Sequence, residues 1–503
     1  MALQVVWFKR DLRLADHAAL HSAHAQNQPV LHLFLFEPIF KAHPNWSLRH
    51  WQAQYQSALE VQHQLAQKGQ VMLILHGSAA DVFSDLAEKL PLAKVHSYQE
   101  TDVEVSFERD LTLQKFFRKQ AILWQEHPAN GVFRGLKNRQ KWDERWRDFM
   151  SQPLAKVIYS KATLDQSDWL EHLQRKFALP AKIKQQLENY PAAFQKVGEA
   201  EGQKQLQHFL NGHYQNYSKH ISKPLQSRTS CSRLSVFLAW GNLSLRQVYQ
   251  ASRKAYLKST SKRNLKNFIS RLHWHSHFIQ KFEMEHRMEQ ETINRGFEAL
   301  HQAADEERIE AWKKGETGYP LVDASMKALH ETGYLNFRMR AMLVSFFCHH
   351  LWQPWQAGAH YLAQQFLDFI PGIHYPQFQM QAGLTGINTV RVYNPEKQAE
   401  EHDPHGEFIC TYLPALQKIP APLRATPWAL SPLEQSFYDF TPGKDYPLPI
   451  VDAQKQAAKA REILHEAKKW PRVKQESLRI LQRHTTAIRN TESRTQTVLS
   501  QKR

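Results

Sequence analysis

Residues 315–347 read GETGYPLVDASMKALHETGYLNFRMRAMLVSFF, and residues 368–416 read DFIPGIHYPQFQMQAGLTGINTVRVYNPEKQAEEHDPHGEFICTYLPAL. Gly-Tyr-Pro ahead of LVDASMKAL is a turn feeding a helix. Pro320 suits a first helical position, and Asp323 lies in the first turns, where the helix dipole favours a carboxylate. LNFRMRAMLVSFFCHHLW predicts a long apolar helix with Arg338 and Arg340 near its start. The segment after Asp368, rich in Gly, Pro, Gln and aromatic residues, reads as a long irregular loop. Irregular backbone carrying bulky side chains usually lines a site.

Outward from this stretch, the N-terminal third has a different rhythm. QVVWF (4–8), PVLHLFLF (29–36), VMLILHG (71–77) and AKVHSYQE (93–100) read as four strands. They alternate with a helix from Ala15, a helix over SLRHWQAQYQSALEVQHQLAQKG ended by Gly69, and a helix over AADVFSDLAEKL. That alternation predicts a parallel α/β sheet of Rossmann-like type, with ligands at the carboxyl ends of the strands. No Gly-x-Gly-x-x-Gly or P-loop sequence follows any strand, which argues against a dinucleotide or P-loop site. Lys9 to Arg13 reads as a charged loop. Gln99, Glu100 and Thr101 after the fourth strand are either ligand contacts or a capped helix start. Trp142 and Trp146, four apart on a helix, read as packing. From about Glu201 the pattern is helical almost throughout. The expected organisation is an α/β domain over 1–128, a connector over 129–205, an all-α domain over 206–490 and a basic tail over 491–503.

The chain has 503 residues and a formal net charge of +17, which suits a polyanion such as nucleic acid. From Ala453 onward there are 13 Lys and Arg against 4 Glu, readable as a solvated helical face or as a DNA contact. No apolar run is long enough for a membrane span and no signal-peptide pattern opens the chain. Cys231, Cys348 and Cys410 stand far apart, so neither a zinc ribbon nor a disulfide framework is expected, and a reducing cytoplasmic setting fits.

Several residue groups can carry chemistry. Tyr217-Ser218-Lys219 and Thr229 to Ser235 place hydroxyls at a helix start, where they either meet a phosphate or cap the helix. His273, His275 and His277 lie on one predicted helix. Only His273 and His277 are four apart, and no acidic third ligand accompanies them, so no metal site is expected.

The long stretch closely resembles the flavin-binding half of the DNA photolyase/cryptochrome family. The correspondence runs through Thr317 to Ala324, Thr332 to Arg340, Asp368 to Thr385, Arg391 to Pro395, Asp403 to Ile409 and Leu413 to Leu416. VVWFKRDLRLADHAAL at the N-terminus and YPLPIVD (446–452) extend it to nearly the whole chain, with His17 where the family usually has Asn. The resemblance implies noncovalent FAD, a light-driven reaction on UV-damaged DNA by a monomer, and a second antenna chromophore of unknown identity. The rival it also implies is a cryptochrome-like blue-light receptor that repairs nothing. Three cysteines cannot supply the four thiolates of the family's iron–sulfur branch.

The resemblance assigns Ser232, Leu234 and Ser235, and more loosely Tyr217, to the flavin diphosphate, with Cys231 in place of the usual Thr. It assigns Arg340 and Asp368 to an ion pair beside the isoalloxazine, and His374 to the position facing flavin N5. Arg338 and Arg391 match DNA-phosphate contacts. Trp274 stands at the family's substrate-facing Trp. Arg271 replaces an acid that bonds the flipped base, which changes the donor/acceptor pattern, and His275 replaces an Arg. Phe378 and Met380 stand where a Trp-x-Trp pair usually relays electrons and stacks on substrate. Trp355 keeps the middle relay position, and the outer one has no counterpart unless Trp312 or Trp352 serves. Either His374 or His275 would be the proton donor if the lesion is of the 6-4 type.

Overall fold

The computed structural model describes residues 3–162, 164, 168–300 and 302–485. The tail expected over 491–503 lies outside them. Five strands form one parallel sheet: β1 (Leu3–Phe8), β2 (Val30–Phe36), β3 (Val71–His76), β4 (Leu92–Tyr98) and β5 (Leu123–His127), in the order β3-β2-β1-β4-β5. Every residue of β1 and β2 is buried, because helices cover both faces and a sheet buried on two sides needs near-continuous apolar strands. The fifth strand, LWQEH, was not anticipated. It pairs with β4 at the edge of the sheet and has no fully buried residue, so it carries neither an apolar run nor an alternating one. The first helix starts at Ala18 and not at Ala15. Asp16 adopts a left-handed backbone (φ 52°), and His17 caps the helix by accepting from the Leu20 amide.

The connector folds back onto the sheet. Leu170, Leu173 and Phe177 join the core on one sheet face, and the Phe177 carbonyl accepts from the His76 amide. Trp142 and Trp146 are both buried, and Trp146 donates to Ser276 of the helical region. The helix Glu199–Leu210 then runs across the point dividing connector from helical domain.

Five helices frame the region quoted first: α1 (Lys262–Met284), α2 (Pro320–Thr332), α3 (Phe337–Ser345), α4 (Trp355–Gln365) and α5 (Pro371–Gln381). Asp323 is wholly buried in α2. It accepts from the Thr317 and Gly318 amides and from the Thr317 hydroxyl, closing the Gly-Tyr-Pro turn. The α3 backbone widens into a π-helical turn over Phe346–His350.

The expected loop after Asp368 is corrected: its first part is helix α5, and short helices follow at Pro395–His402 and Glu407–Tyr412. Pro376 lies inside α5, a position that ordinarily breaks a helix. Tertiary packing overrides it. Tyr375 and Phe378 are buried, and the Gln379 side chain ties α5 to the Ile293 amide and to the Met288 and Glu291 carbonyls. Gly372 lets α5 cross α1 closely, since a Cβ there would sit 2.9 Å from the Ile279 Cα.

The charged loop after β1 holds the two halves together. Arg10 pairs with buried Asp102 and donates to the Phe369 carbonyl, next to Asp368, at 2.9 Å. Arg13 donates to the Gly241 carbonyl, and Glu199 accepts from the Leu14 and Ala15 amides.

Candidate flavin site

The residues assigned from sequence gather around one ring, that of Tyr334 just ahead of α3. Its phenol feels Arg233, Cys231, Arg340 and Asp368, and burial raises its pKa. Arg340 extends from α3 and reaches both oxygens of Asp368 from one terminal nitrogen, at 2.9 and 2.8 Å. Its Nε donates to the Leu335 carbonyl, and its guanidinium lies 3.9 Å over the Phe366 ring. Burial pushes the Asp368 carboxyl upward. Arg340, with help from the Ser235 hydroxyl, outweighs that and holds it below the usual carboxylate range. The pair is therefore fully ionised at neutral pH.

Ser232 and Leu234 lie between the short helices Ser227–Ser230 and Ser235–Ala239. Tyr217 is buried against Phe209 and Phe268, and burial raises its phenol pKa. Cys231 is buried beside it, and burial pushes its thiol up to about 12, so it remains a thiol.

Sequence reasoning missed two arginines here. Arg233 has a left-handed backbone (φ 53°), which turns its side chain onto the Tyr334 ring at 3.6 Å, with Gln195 bracing both ends. Burial lowers its pKa. Arg228 lies over the rings of Tyr334, Tyr412 and Phe408. The Nε atoms of both arginines are buried without a hydrogen-bond partner. Three guanidiniums against the single Asp368 leave an excess of positive charge, and buried donors without acceptors are costly. A diphosphate supplies both the acceptors and the charge, so the residues present fit FAD. The signal was in the sequence as CSRLS, where Arg233 sits between the residues that were chosen.

The other assigned residues divide by depth. His374 on α5 donates from Nε2 to the Ala359 carbonyl at 2.8 Å, with rings of Phe369, Tyr375 and Phe378 around it. Burial lowers its pKa to about 4, so at neutral pH Nδ1 offers a lone pair. His275 lies on α1 one turn before Ile279. Both of its ring nitrogens are buried without a partner, and burial lowers its pKa to about 4. Trp355 opens α4 as a buried residue, 6.3 Å from Phe378. Arg271 is exposed, with its guanidinium against the Tyr217 hydroxyl. Trp274 is 37% exposed and stacks on Phe278. Met380 and Arg338 are half-buried, Arg338 lying over the Tyr393 ring, and Arg391 is exposed. His273 is bonded to Asp143 at 2.8 Å. Among the described residues no His, Cys, Asp and Glu group could hold a metal ion, and no helix is long and apolar enough to cross a membrane.

Gln99, Glu100 and Thr101 line a cavity of about 260 Å³ at the carboxyl ends of β1 and β4, between sheet and helices. There the strand order reverses direction, the point where open α/β sheets bind ligands.

Comparison with known proteins places this geometry. Residues 4–141 match the DNA photolyase family profile, and residues 268–466 match the FAD binding domain of DNA photolyase. A deoxyribodipyrimidine photo-lyase of Alkalihalophilus pseudofirmus is 27% identical over 91% of this chain and 97% of its own length. A cryptochrome DASH of Synechocystis sp. is 26% identical over 91% of this chain and 97% of its own. The crystal structure of a Synechocystis cryptochrome superposes with a TM-score of 0.80 at 22% identity, covering 92% of this chain and 99% of that one.

Proposed function

The chain belongs to the DNA photolyase/cryptochrome family, and from that premise we propose that it is a light-driven, FAD-dependent enzyme that repairs pyrimidine photoproducts in DNA. The observation that carries this reading is the ionised Arg340–Asp368 pair beside the unpartnered guanidinium nitrogens of Arg228 and Arg233. FAD held there would supply the light absorption and the electron that splits the lesion. Arg228 and Arg233 would grip its diphosphate, with Ser232 and Ser235 adding donors. Arg340 and Asp368 would fix the orientation of its ring system. His374 would present Nδ1 as an acceptor.

At the mouth, half-exposed Trp274 offers a face for a base turned out of the duplex, and Arg271 offers donors to its carbonyl oxygens. Arg338 and Arg391 would hold the flanking phosphates. The 1–128 domain would serve as the antenna half, with a second chromophore in the 260 Å³ cavity. The connector (129–205) would join it to the flavin domain (206–490).

A second reading rests on a specific observation. Arg271 in place of an acid, with Phe378 and Met380 in place of a Trp-x-Trp pair, favours a cryptochrome-like photoreceptor that binds FAD without repair. Photoreactivation in vitro separates the two. Reduced protein is mixed with UV-irradiated DNA in light and in darkness, and both lesion types are followed by chromatography. Light-dependent loss of either lesion supports repair. Intact lesions beside a photochemically active flavin favour the receptor. Failure to take up flavin on reconstitution sinks both readings.

A further inference from the structure

We propose that Tyr361 and His330 form a proton-coupled terminal electron donor, connected to the flavin site through Trp312. This rests on the reading of the site as a flavin pocket and goes beyond it. The Trp312 ring is wholly buried. It lies 4.4 Å from Phe347 and 5.9 Å from Tyr361. Phe347 and Phe378 both rest on Gly358, where an added Cβ would fall 2.7 Å from one ring and 3.1 Å from the other. Phe378 in turn lies 5.9 Å from His374. Aromatic rings therefore run without a gap from the flavin-facing histidine to half-buried Tyr361.

The hydrogen bonding at the two oxidisable rings differs, and the difference sets the direction. The Trp312 indole N–H is buried with no acceptor among the described residues. Once oxidised, Trp312 has nowhere to send its proton and stays a radical cation, a strong oxidant. The Tyr361 hydroxyl lies 2.6 Å from Nε2 of His330 and 3.2 Å from the Lys313 carbonyl. The shorter contact is within the range for direct proton transfer. Burial, with Arg49 and Lys327 nearby, lowers the His330 pKa to about 4, so the imidazole is neutral and holds one lone pair.

The step balances as follows. Light-excited oxidised flavin is the primary oxidant, and the electron it takes leaves Trp312 as a cation. Tyr361 returns one electron to Trp312 while its phenolic proton passes to Nε2 of His330. The O–H bond breaks, an N–H bond forms, Trp312 is restored, and a neutral tyrosyl radical remains beside an imidazolium. Because the proton has moved away from the phenol, return of the electron is slowed.

The test uses the full chain reconstituted with oxidised FAD and excited by a blue flash, read by time-resolved absorption and electron paramagnetic resonance. The expected result is a tyrosyl radical in the parent protein, formed more slowly in deuterium oxide and more slowly in His330→Phe. In Tyr361→Phe the signal is lost, a tryptophan cation remains in its place, and charge recombination is faster. Flavin absorbance per protein is the control, since neither residue touches the proposed flavin cradle. A parent protein that binds flavin and yields no tyrosyl radical overturns the proposal and leaves the flavin reading intact. So does a radical that survives Tyr361→Phe. A parent protein that takes up no flavin overturns both.

Discussion

The sheet end of the molecule and the helical cavity both bury arginines among aromatic rings, yet they differ in what is left over. Beside β1 and β4, Arg109 pairs with Glu37, Glu100 and Asp110 at 2.6, 2.5 and 2.8 Å, and Lys9 pairs with Asp110 at 3.0 Å. Both cations also lie over Trp7, and the crevice there, lined by Phe40, Trp46 and Trp51, has room for only about 30 Å³. Charge and volume are closed by the chain itself. In the helical cavity Arg228, Arg233 and Arg340 face one carboxylate, and buried donors are left open. The lesson is that buried charge marks a ligand site only where the count of partners falls short. The first cluster is part of the fold, and the second awaits an anion.

If that contrast is right, the sheet half should respond to protons and the cavity half to flavin. The largest effect expected is acid instability. His24, His32, His50, His96 and His127 all lie in or against the sheet half. Burial is the first cause lowering each, to about 4, 3, 3, 3 and 4. Their folded pKa values lie below the unfolded value of 6.5. The stability they carry is therefore complete above 6.5 and is lost as the pH falls from there towards 4. Each contributes up to about 1.4 kcal/mol per pH unit in that window, and five together exceed the stability of an ordinary domain. Urea unfolding at stepped pH should show a steep decline below 6.5 that added FAD only shifts. A stability profile flat to pH 4.5 would break the contrast on its sheet side.

Next in size is Asp368→Asn. It leaves the Arg340 guanidinium in place with its counter-charge gone, and removing one partner of a buried pair costs about 3–5 kcal/mol. The variant should lose both flavin retention and urea resistance. Added chloride or diphosphate should restore part of the stability, because either supplies the missing anion. Smaller is Arg233→Ala. It removes the stack on Tyr334 and one charged donor worth roughly 1.5–3 kcal/mol, so flavin affinity should fall by roughly 10- to 100-fold. The apo protein should be nearly as stable as before, since the donor had no partner to lose. An unchanged flavin affinity in a titration would mean that the open donors do not mark the ligand.

How much of this was legible depended on whether chemistry or packing decided each position. Arg340 and Asp368, 28 residues apart, could be matched because the ion pair demands two fixed residue types at fixed places in a motif. Strands β1 to β4 were legible because double burial writes itself as an apolar run. Strand β5 was not, since an edge strand with half-buried residues leaves no periodic mark. Helix α5 was misread for the opposite reason. Its Pro and Gly residues signal irregular backbone locally, while Gln379 and the Gly372–Ile279 crossing, contacts distant in sequence, hold it helical. Arg233 escaped because its importance comes from a left-handed backbone angle, and no residue type announces that. The loop Lys9–Arg13 looked like solvent-exposed charge, but its partners come from elements up to 359 residues away.

The smallest expected effect concerns the outer surface. Arg391 is exposed, whereas Arg338 is half-buried over Tyr393 with a buried Nε that no hydrogen bond satisfies. If both hold phosphate, they should do so differently. Arg391→Ala removes one exposed charge, so the slope of log affinity for duplex DNA against log salt should become shallower by about 0.9, with the protein's own stability within about 0.5 kcal/mol of the parent. Arg338→Ala should change the slope by a similar amount and also loosen Tyr393, lowering the urea midpoint. Filter binding at four salt concentrations measures both slopes. Equal slopes in parent and Arg391→Ala would take that residue out of the DNA face. They would also leave the surplus positive charge of this half to be explained by the flavin cavity alone.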